Sequence, residues 1–137
     1  MLAIIHFGIV ILTGMVVLYS DEQALQWVLG RKRILNKARI AFLHRSVSVG
    51  LVLILVTGGF LYLRAVPAYL TSPTFIVKMV AVGALVLNTY FIEKFSHVAT
   101  SQTFASLPKS KRLPLFLTGG ISVMGWGLAL LCGLILS

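Results

Sequence analysis

Long apolar segments alternate with short polar ones along the chain, and this alternation is its main structural signal. Four segments are apolar over roughly 20 residues each, at about 2–19, 40–63, 74–95 and 115–136. A helix of that length crosses a hydrocarbon core of roughly 30 Å and satisfies its own backbone there. The pattern predicts an all-α integral membrane protein in which residues 1–137 form a single four-helix transmembrane domain. Connections of ordinary length favour an up-down-up-down bundle.

The polar stretch after the first apolar segment has the features of a further, shorter helix. Ser20 and Gln23 have the spacing of a capping box, and Gly30 stands where a helix would end. Asp21 falls in the first turn, where a negative charge suits the helix dipole. Apolar residues recur on one face between these signals. We therefore expect a short amphipathic helix that lies in the membrane interface, separate from the first span.

The charged residues cluster in the connections between the spans. The chain has 12 Lys and Arg residues against 3 Asp and Glu, which gives a net charge of +9. The most basic segment is Arg31–Arg39, and a second basic group follows at 109–112, whereas only Arg64 and Lys78 flank the middle connection. By the positive-inside rule, the first and third connections face the cytoplasm and both termini lie outside.

Composition supports the same assignment, because 58% of the residues are hydrophobic and only 11% are charged. A soluble domain is about a quarter charged. We expect a multi-pass protein of a bacterial inner (plasma) membrane, surrounded by the lipid bilayer. Membrane topology explains the basic charge, so no nucleic-acid partner is expected. The segment Arg31–Arg39 also suits contact with anionic lipid headgroups.

Small and weakly polar residues mark the helix faces expected to pack together, because helix association in lipid relies on close packing and polar contacts. Asn88 lies near the middle of the third span, where its amide is expected to hydrogen-bond to another helix. A small-residue seam also suits a membrane-protein partner or a homo-oligomer. The residues assigned to helix packing are Ser46, Gly50, Thr57, Gly58, Asn88, Gly125, Ala129 and Gly133.

Two histidines fall at similar depth at the basic end of the predicted bundle. His44 lies about one turn inside the second span, and His97 ends the third. Axial ligation of haem b needs two histidines at equal depth on adjacent helices, so His44 and His97 are candidate metal ligands and cofactor-binding residues. The simpler alternative has His44 bonded to backbone or to Ser48, and His97 paired with Glu93 one turn earlier.

A second candidate cofactor-binding site lies at the opposite end, where the topology places His6, Arg64 and Lys78. A cation within a membrane span indicates function by default, although the long stem of Lys78 can also extend to the interface. Arg64 and Lys78 together suit an anionic group near His6, such as a haem propionate or a substrate carboxylate.

The acidic residues Asp21, Glu22 and Glu93 all fall at predicted helix ends. A proton-coupled exporter needs a titratable acid at mid-membrane, so the pattern disfavours transport. Cys132 is the chain's one cysteine, which excludes an internal disulfide and a dithiol relay.

The stretch from Ala41 to Asn88 resembles a group of small bacterial membrane proteins. Thr57-Gly58 ends the second span and is followed by FLYLRAVPAYLTSPTFIVKMVAVGALVLN. This order of a TG-ended helix, a short outer loop and a K-x-x-x-V helix is similar to copper-resistance protein D-type membrane domains and to the J-type protoporphyrinogen oxidases. The resemblance makes His6 and Lys78 the matching positions of the oxidase's early histidine and lysine. It implies a four-helix fold with haem or a porphyrin as ligand.

These features give three functional hypotheses. The first is a small inner-membrane protein that binds haem b or a porphyrin in a redox or haem-metabolism role. The second is a non-enzymatic membrane subunit or copper-handling helper that packs against a larger partner. The third is a small transporter.

Overall fold

A computed structural model of the protein describes residues 1–64 and 67–136. Residues 65 and 66, in the predicted middle connection, and Ser137 lie outside the described residues, as do the side chains of residues 68 and 69. The described elements are α1 (Leu2–Val28), α2 (Lys37–Leu63), the short α3 (Pro67–Leu70), α4 (Pro73–Ala99), a 3₁₀ turn (Phe104–Ser106) and α5 (Lys109–Leu136).

The four long helices α1, α2, α4 and α5 are each long and apolar enough to cross a membrane. Large apolar side chains point outward from them, and Leu12, Phe42 and Leu87 are each at least 66% exposed. Polar side chains such as His6 and Asn88 are buried instead. This arrangement suits lipid rather than water, so the chain is a multi-pass membrane protein whose apolar surface contacts the bilayer.

Helix α1 lies beside α2, and its contacts show that the two run antiparallel. Thr13 of α1 faces Gly50 of α2, while His6, closer to the start of α1, faces Thr57, closer to the end of α2. The order of contacts is therefore reversed between the two helices. Together they form the first of two closely packed hairpins.

Helices α4 and α5 form the second hairpin, which is also antiparallel. Leu85 of α4 lies against Gly125 of α5. Asn88, further along α4, donates from its side-chain Nδ2 to the carbonyl of Thr118 at 3.0 Å, and Thr118 lies nearer the start of α5 than Gly125 does. The hairpins meet where α1 contacts α5 and where α2 contacts α4, and α2 approaches α4 at few places. The four long helices thus surround a common axis.

Helix α1 is longer than predicted, and the expected separate interfacial helix is wrong. Instead, α1 continues without a break to Val28. It ends where Gly30 adopts a positive φ of 76°, which glycine accommodates without strain. The Gly30 N–H donates to the Trp27 carbonyl at 3.2 Å, and the Arg31 N–H donates to the Gln26 carbonyl at 2.9 Å. These two bonds are the Schellman pattern.

Packing of the connections explains why this stretch stays part of α1. Trp27 is only 2% exposed, and its indole Nε1–H donates to the Gln102 carbonyl at 3.0 Å. Leu35 and Leu107, from the first and third connections, are buried in the same cluster. The Leu35 N–H also donates to the Ala99 carbonyl at 3.0 Å. The two basic connections therefore pack together and hold the end of α1 between them.

The other helices extend beyond their predicted apolar spans because helical backbone continues into the polar connections. Asn36 caps α2, and its side chain accepts from the Arg39 N–H at 3.2 Å. Helix α4 starts at Pro73 with Ser72 as its cap, which accepts from the Phe75 N–H at 3.2 Å. Helix α5 begins at Lys109 and runs through Pro114, well before the predicted start at residue 115.

Small residues differ in what they contact. A Cβ added to Gly50 would lie 2.6 Å from Thr13 Cγ2, and one added to Gly125 would lie 2.8 Å from Leu85 Cδ2. Ala129 is buried in the same core, whereas Gly133 has only Phe7 within reach, at 4.0 Å. Ser46 bonds within its own helix, since its hydroxyl donates to the Phe42 carbonyl at 2.9 Å.

Gly50→Ala is expected to destabilise the protein by about 1–3 kcal/mol, because the added methyl overpacks the α1–α2 contact. The β-branched side chain of Thr13 has little rotamer freedom with which to move away. Thermal unfolding in detergent measures the effect. Gly59→Ala is the matched control in the same helix, since its Cβ would have nothing within 4 Å. Equal melting temperatures for the two variants would contradict close packing at Gly50.

Candidate ligand-binding site

A cavity of about 750 Å³, here called the terminal cavity, lies at the end of the bundle where α1 starts and α5 ends. All four long helices contribute to its walls. Its volume falls in the usual range for small-molecule sites, which are mostly apolar with a few placed polar groups. Its apolar lining includes Leu51, Leu55, Met79, Val82 and Trp126.

Three predicted site residues line this one cavity: His6 from α1, Arg64 at the end of α2, and Lys78 from α4. His6 is 7% exposed, Lys78 is partly buried, and Arg64 is exposed. Two cationic side chains therefore border an apolar volume that also contains a buried imidazole. In such surroundings a carboxylate or phosphate is the complementary ligand group.

The hydrogen bonds around His6 define which ring nitrogen carries its hydrogen. The Thr57 hydroxyl lies 2.7 Å from the Leu53 carbonyl, which can only accept, so the hydroxyl donates there. Thr57 Oγ1 must then accept from His6 Nδ1, at 2.7 Å. His6 Nδ1 therefore carries a hydrogen, and in the neutral ring Nε2 keeps its lone pair. Metal-ligating histidines have this arrangement, with the second nitrogen fixed by a partner.

Gly58 makes room for the His6 ring against α2. A Cβ at Gly58 would lie 3.3 Å from His6 Cε1, which is closer than most real Cβ contacts. Further along α2, the Tyr62 ring stacks on Phe75 of α4 at a centroid distance of 6.0 Å. The cavity thus lies where α2 and α4 are joined near their ends but otherwise make few contacts.

A second, much smaller cavity of about 50 Å³ lies toward the basic end and is here called the polar pocket. Leu85 and Trp126 line both cavities and so separate them. Polar side chains reach the polar pocket from all four long helices. They include Asp21 of α1, His44 of α2, Asn88, Thr89 and Ser96 of α4, and Ser122 of α5.

Asp21 is where the structure differs most from the sequence prediction. It was expected in the first turn of an interfacial helix, at a helix end. Because α1 is continuous, Asp21 lies inside the bundle instead, with Oδ2 at 3.5 Å from the Ser122 hydroxyl. The helical spacing of Thr13, Val17 and Asp21 was the available signal, since it places all three on one face of an unbroken helix.

The two histidines at the basic end differ in their surroundings. His44 lines the polar pocket, and its Nε2 lies 3.9 Å from Glu93 Oε2. His97 is exposed near the end of α4 and lines neither the terminal cavity nor the polar pocket. The close side-chain contact of Glu93 is thus with His44, across the α2–α4 boundary, and not with His97.

Within residues 1–64 and 67–136, no group of three or more His, Cys, Asp and Glu side chains is placed to hold a metal ion. Comparison of the chain with protein-family models, with curated proteins and with solved structures finds no match. Function is therefore inferred from the side chains that line the two cavities.

Thr57→Val is expected to release His6 from its fixed tautomer, because valine has the same shape but cannot accept from Nδ1–H. ¹⁵N NMR of histidine-labelled protein, with His6→Gln to assign the signal, reports which ring nitrogen is protonated. The wild type should show an Nδ1–H imidazole at His6, and the variant a mixture of tautomers. Ser46→Ala is the control, since the Ser46 hydroxyl bonds only within α2. An Nε2–H form in the wild type would contradict the assignment.

Proposed function

We propose that the protein binds haem b or a related carboxylate-bearing porphyrin in the terminal cavity. One observation carries this proposal: a single apolar cavity of about 750 Å³ combines His6 with the cations Arg64 and Lys78. A porphyrin with carboxylate groups has the matching parts, which are a large apolar ring, a metal centre in the haem form and negative charges at one edge.

Each side chain has a distinct role in this proposal. His6, held through Nδ1 by Thr57, would hold a haem iron through Nε2. Arg64 and Lys78 neutralise the carboxylates through charge-assisted hydrogen bonds. The apolar walls exclude water, and Leu85 and Trp126 close the inner end. A bound haem would supply one-electron redox chemistry, and the chain would position it.

The resemblance of Ala41–Asn88 to copper-resistance protein D-type domains and J-type protoporphyrinogen oxidases supports the same ligand class. It singles out His6 and Lys78, and these two residues line the terminal cavity. A redox or haem-metabolism role follows from this ligand class.

The proposed setting is a bacterial inner membrane, with an up-down-up-down topology and both termini outside. The basic connections then face the cytoplasm, where Arg31–Arg39 can contact anionic lipid headgroups. The terminal cavity opens on the outer side of the membrane in this orientation.

The alternative, a membrane subunit that docks on a larger partner, would need a different surface from the one predicted. Gly125 packs against Leu85 inside the bundle, so the predicted seam is already occupied. Gly119, Gly120 and Gly127 of α5 are exposed, with nothing within 4 Å of an added Cβ. These exposed glycines would allow close approach of a second helix, from a partner or from another copy.

Supplementing the purified protein with haem and removing unbound haem by gel filtration is expected to leave a Soret band that elutes with the protein. His6→Ala should abolish or greatly weaken the band, because it removes the side chain that would hold the iron. His44→Ala should leave it unchanged, because His44 lines the separate polar pocket. The absence of a Soret band in the wild type would contradict haem binding.

Lys78→Met should weaken binding of protoporphyrin IX by about 10- to 100-fold, the cost of losing one charged hydrogen bond of about 1.5–3 kcal/mol. Fluorescence titration with the free acid and with its dimethyl ester distinguishes loss of carboxylate recognition from a change in the shape of the cavity. The uncharged ester should bind the wild type and Lys78→Met equally. Lys94→Met is the matched control: Lys94 is also on α4, and its Nζ lies 5.2 Å from the Tyr90 ring centre. An equal loss of ester binding would contradict carboxylate recognition by Lys78.

The proposed orientation is tested by cysteine labelling in a Cys132→Ala background. A membrane-impermeant maleimide applied to intact spheroplasts should label Thr71→Cys, in the middle connection, and not Ser101→Cys, in the third. Permeabilised cells should allow labelling of both, which controls for accessibility. The reverse pattern in intact spheroplasts would contradict the orientation.

A further inference from the structure

The polar pocket offers oxygen acceptors whose own hydrogens are already used elsewhere. The Thr89 hydroxyl donates to the Leu85 carbonyl at 2.9 Å, and the Ser96 hydroxyl donates to the Ile92 carbonyl at 2.8 Å. With its hydrogen used, each hydroxyl oxygen can act only as an acceptor toward a guest. A guest that matches them must be a cation or a hydrogen-bond donor.

Asn88 adds an acceptor with no partner of its own. The side chain is only 3% exposed, and its Nδ2 group is used by the Thr118 carbonyl at 3.0 Å. Since that carbonyl can only accept, the amide orientation is fixed and Oδ1 is the remaining atom. Oδ1 is buried without a hydrogen-bond partner among the described residues. A buried unpaired acceptor costs about 1–3 kcal/mol, so the site favours a guest that satisfies it.

Asp21 supplies the charge of the pocket. Its carboxylate lies beside the Ser122 hydroxyl, at 3.5 Å, and Ser122 is 2% exposed. His44 is the one Lys, Arg or His side chain among the residues that line the pocket. Its Nε2 lies 3.9 Å from Glu93, so a positive charge on the ring would be met by that carboxylate. Asp21 is therefore free to balance a positive guest.

The volume of about 50 Å³ limits what this guest can be. A water molecule needs about 10–15 Å³ by the same measure, so the pocket has room for a small ion with a few waters but not for a bulky organic cation such as choline. Oxygen ligands select hard cations, and one carboxylate balances one positive charge. Divalent cations are usually held by more carboxylates than this.

We propose that the polar pocket binds a small monovalent cation, for which Na⁺ is the probe, through Asp21, Asn88 Oδ1 and the hydroxyl oxygen of Ser122. These ligands come from α1, α4 and α5, while α2 contributes to the wall of the pocket, and Leu85 and Trp126 separate it from the terminal cavity. It is independent of porphyrin binding, because no residue that would hold the ion lines the terminal cavity.

Equilibrium binding of ²²Na⁺ to the purified protein, prepared in choline chloride, tests the site directly. We expect saturable binding to the wild type, and a higher melting temperature in NaCl than in choline chloride at equal ionic strength. Asp21→Asn should abolish both effects, since it removes the charge and keeps the shape. Ser122→Ala should weaken ²²Na⁺ binding about tenfold, as expected for one hydrogen-bonding ligand of about 1.4 kcal/mol.

Glu22→Gln is the matched control, because Glu22 is the neighbouring acid on the exposed face of α1 and should not affect binding. Circular dichroism and elution volume verify that each variant is folded, and Ser122→Ala still decides the question if Asp21→Asn does not fold. The proposal is overturned if the wild type shows no saturable ²²Na⁺ binding, as expected for a pocket that holds only water. It is equally overturned if Asp21→Asn and Ser122→Ala, or the one of them that folds, bind Na⁺ like the wild type.

Discussion

Polar groups within a bilayer must find their partners inside the protein, and this constraint determines the structure of this bundle. The helices satisfy their own backbones and turn their polar side chains toward a common axis. His6, Thr13, Gln23, Asn88 and Ser122 are all buried, while most large apolar side chains face outward. Both cavities lie on this axis. Their chemistry follows from the polar residues that lipid excludes from the outer surface.

Unequal packing between helices explains where the cavities form. Gly50 against Thr13 and Gly125 against Leu85 bring each hairpin into close contact. Helices α2 and α4 have no comparable glycine contact and approach each other at few places. Space therefore opens between the hairpins at the terminal end. Leu85 and Trp126 fill the axis next to the terminal cavity. The polar pocket is the small volume that remains on their other side, toward the basic connections.

The sequence was sufficient to predict the elements that depend on local chemistry. Apolar length gives the four long helices, and Ser72 before Pro73 marks the start of α4. Charge asymmetry groups His6, Arg64 and Lys78 at one end, where they line one cavity. These features depend on composition and spacing, which a single sequence contains.

Contacts between distant parts of the chain could not be predicted in the same way. Helix α1 continues past residue 19 because Trp27 is buried against the third connection and bonds Gln102, far along the chain. That continuation moves Asp21 from a supposed helix end into the bundle. The partner of Glu93 likewise depends on how α2 meets α4, which brings His44 to it. Apolar patterning indicates which segments enter the membrane but not which faces meet.

The central claim is that His6, rather than the histidines of the basic end, holds the ligand. Electron paramagnetic resonance of the haem-loaded ferric protein tests it most directly. Among the histidines of the described residues, only His6 lines the terminal cavity. We therefore expect a high-spin signal, typical of iron with one histidine ligand, that is lost in His6→Ala. A low-spin bis-histidine signal that persists in His6→Ala and disappears in His44→Ala or His97→Ala would contradict the claim.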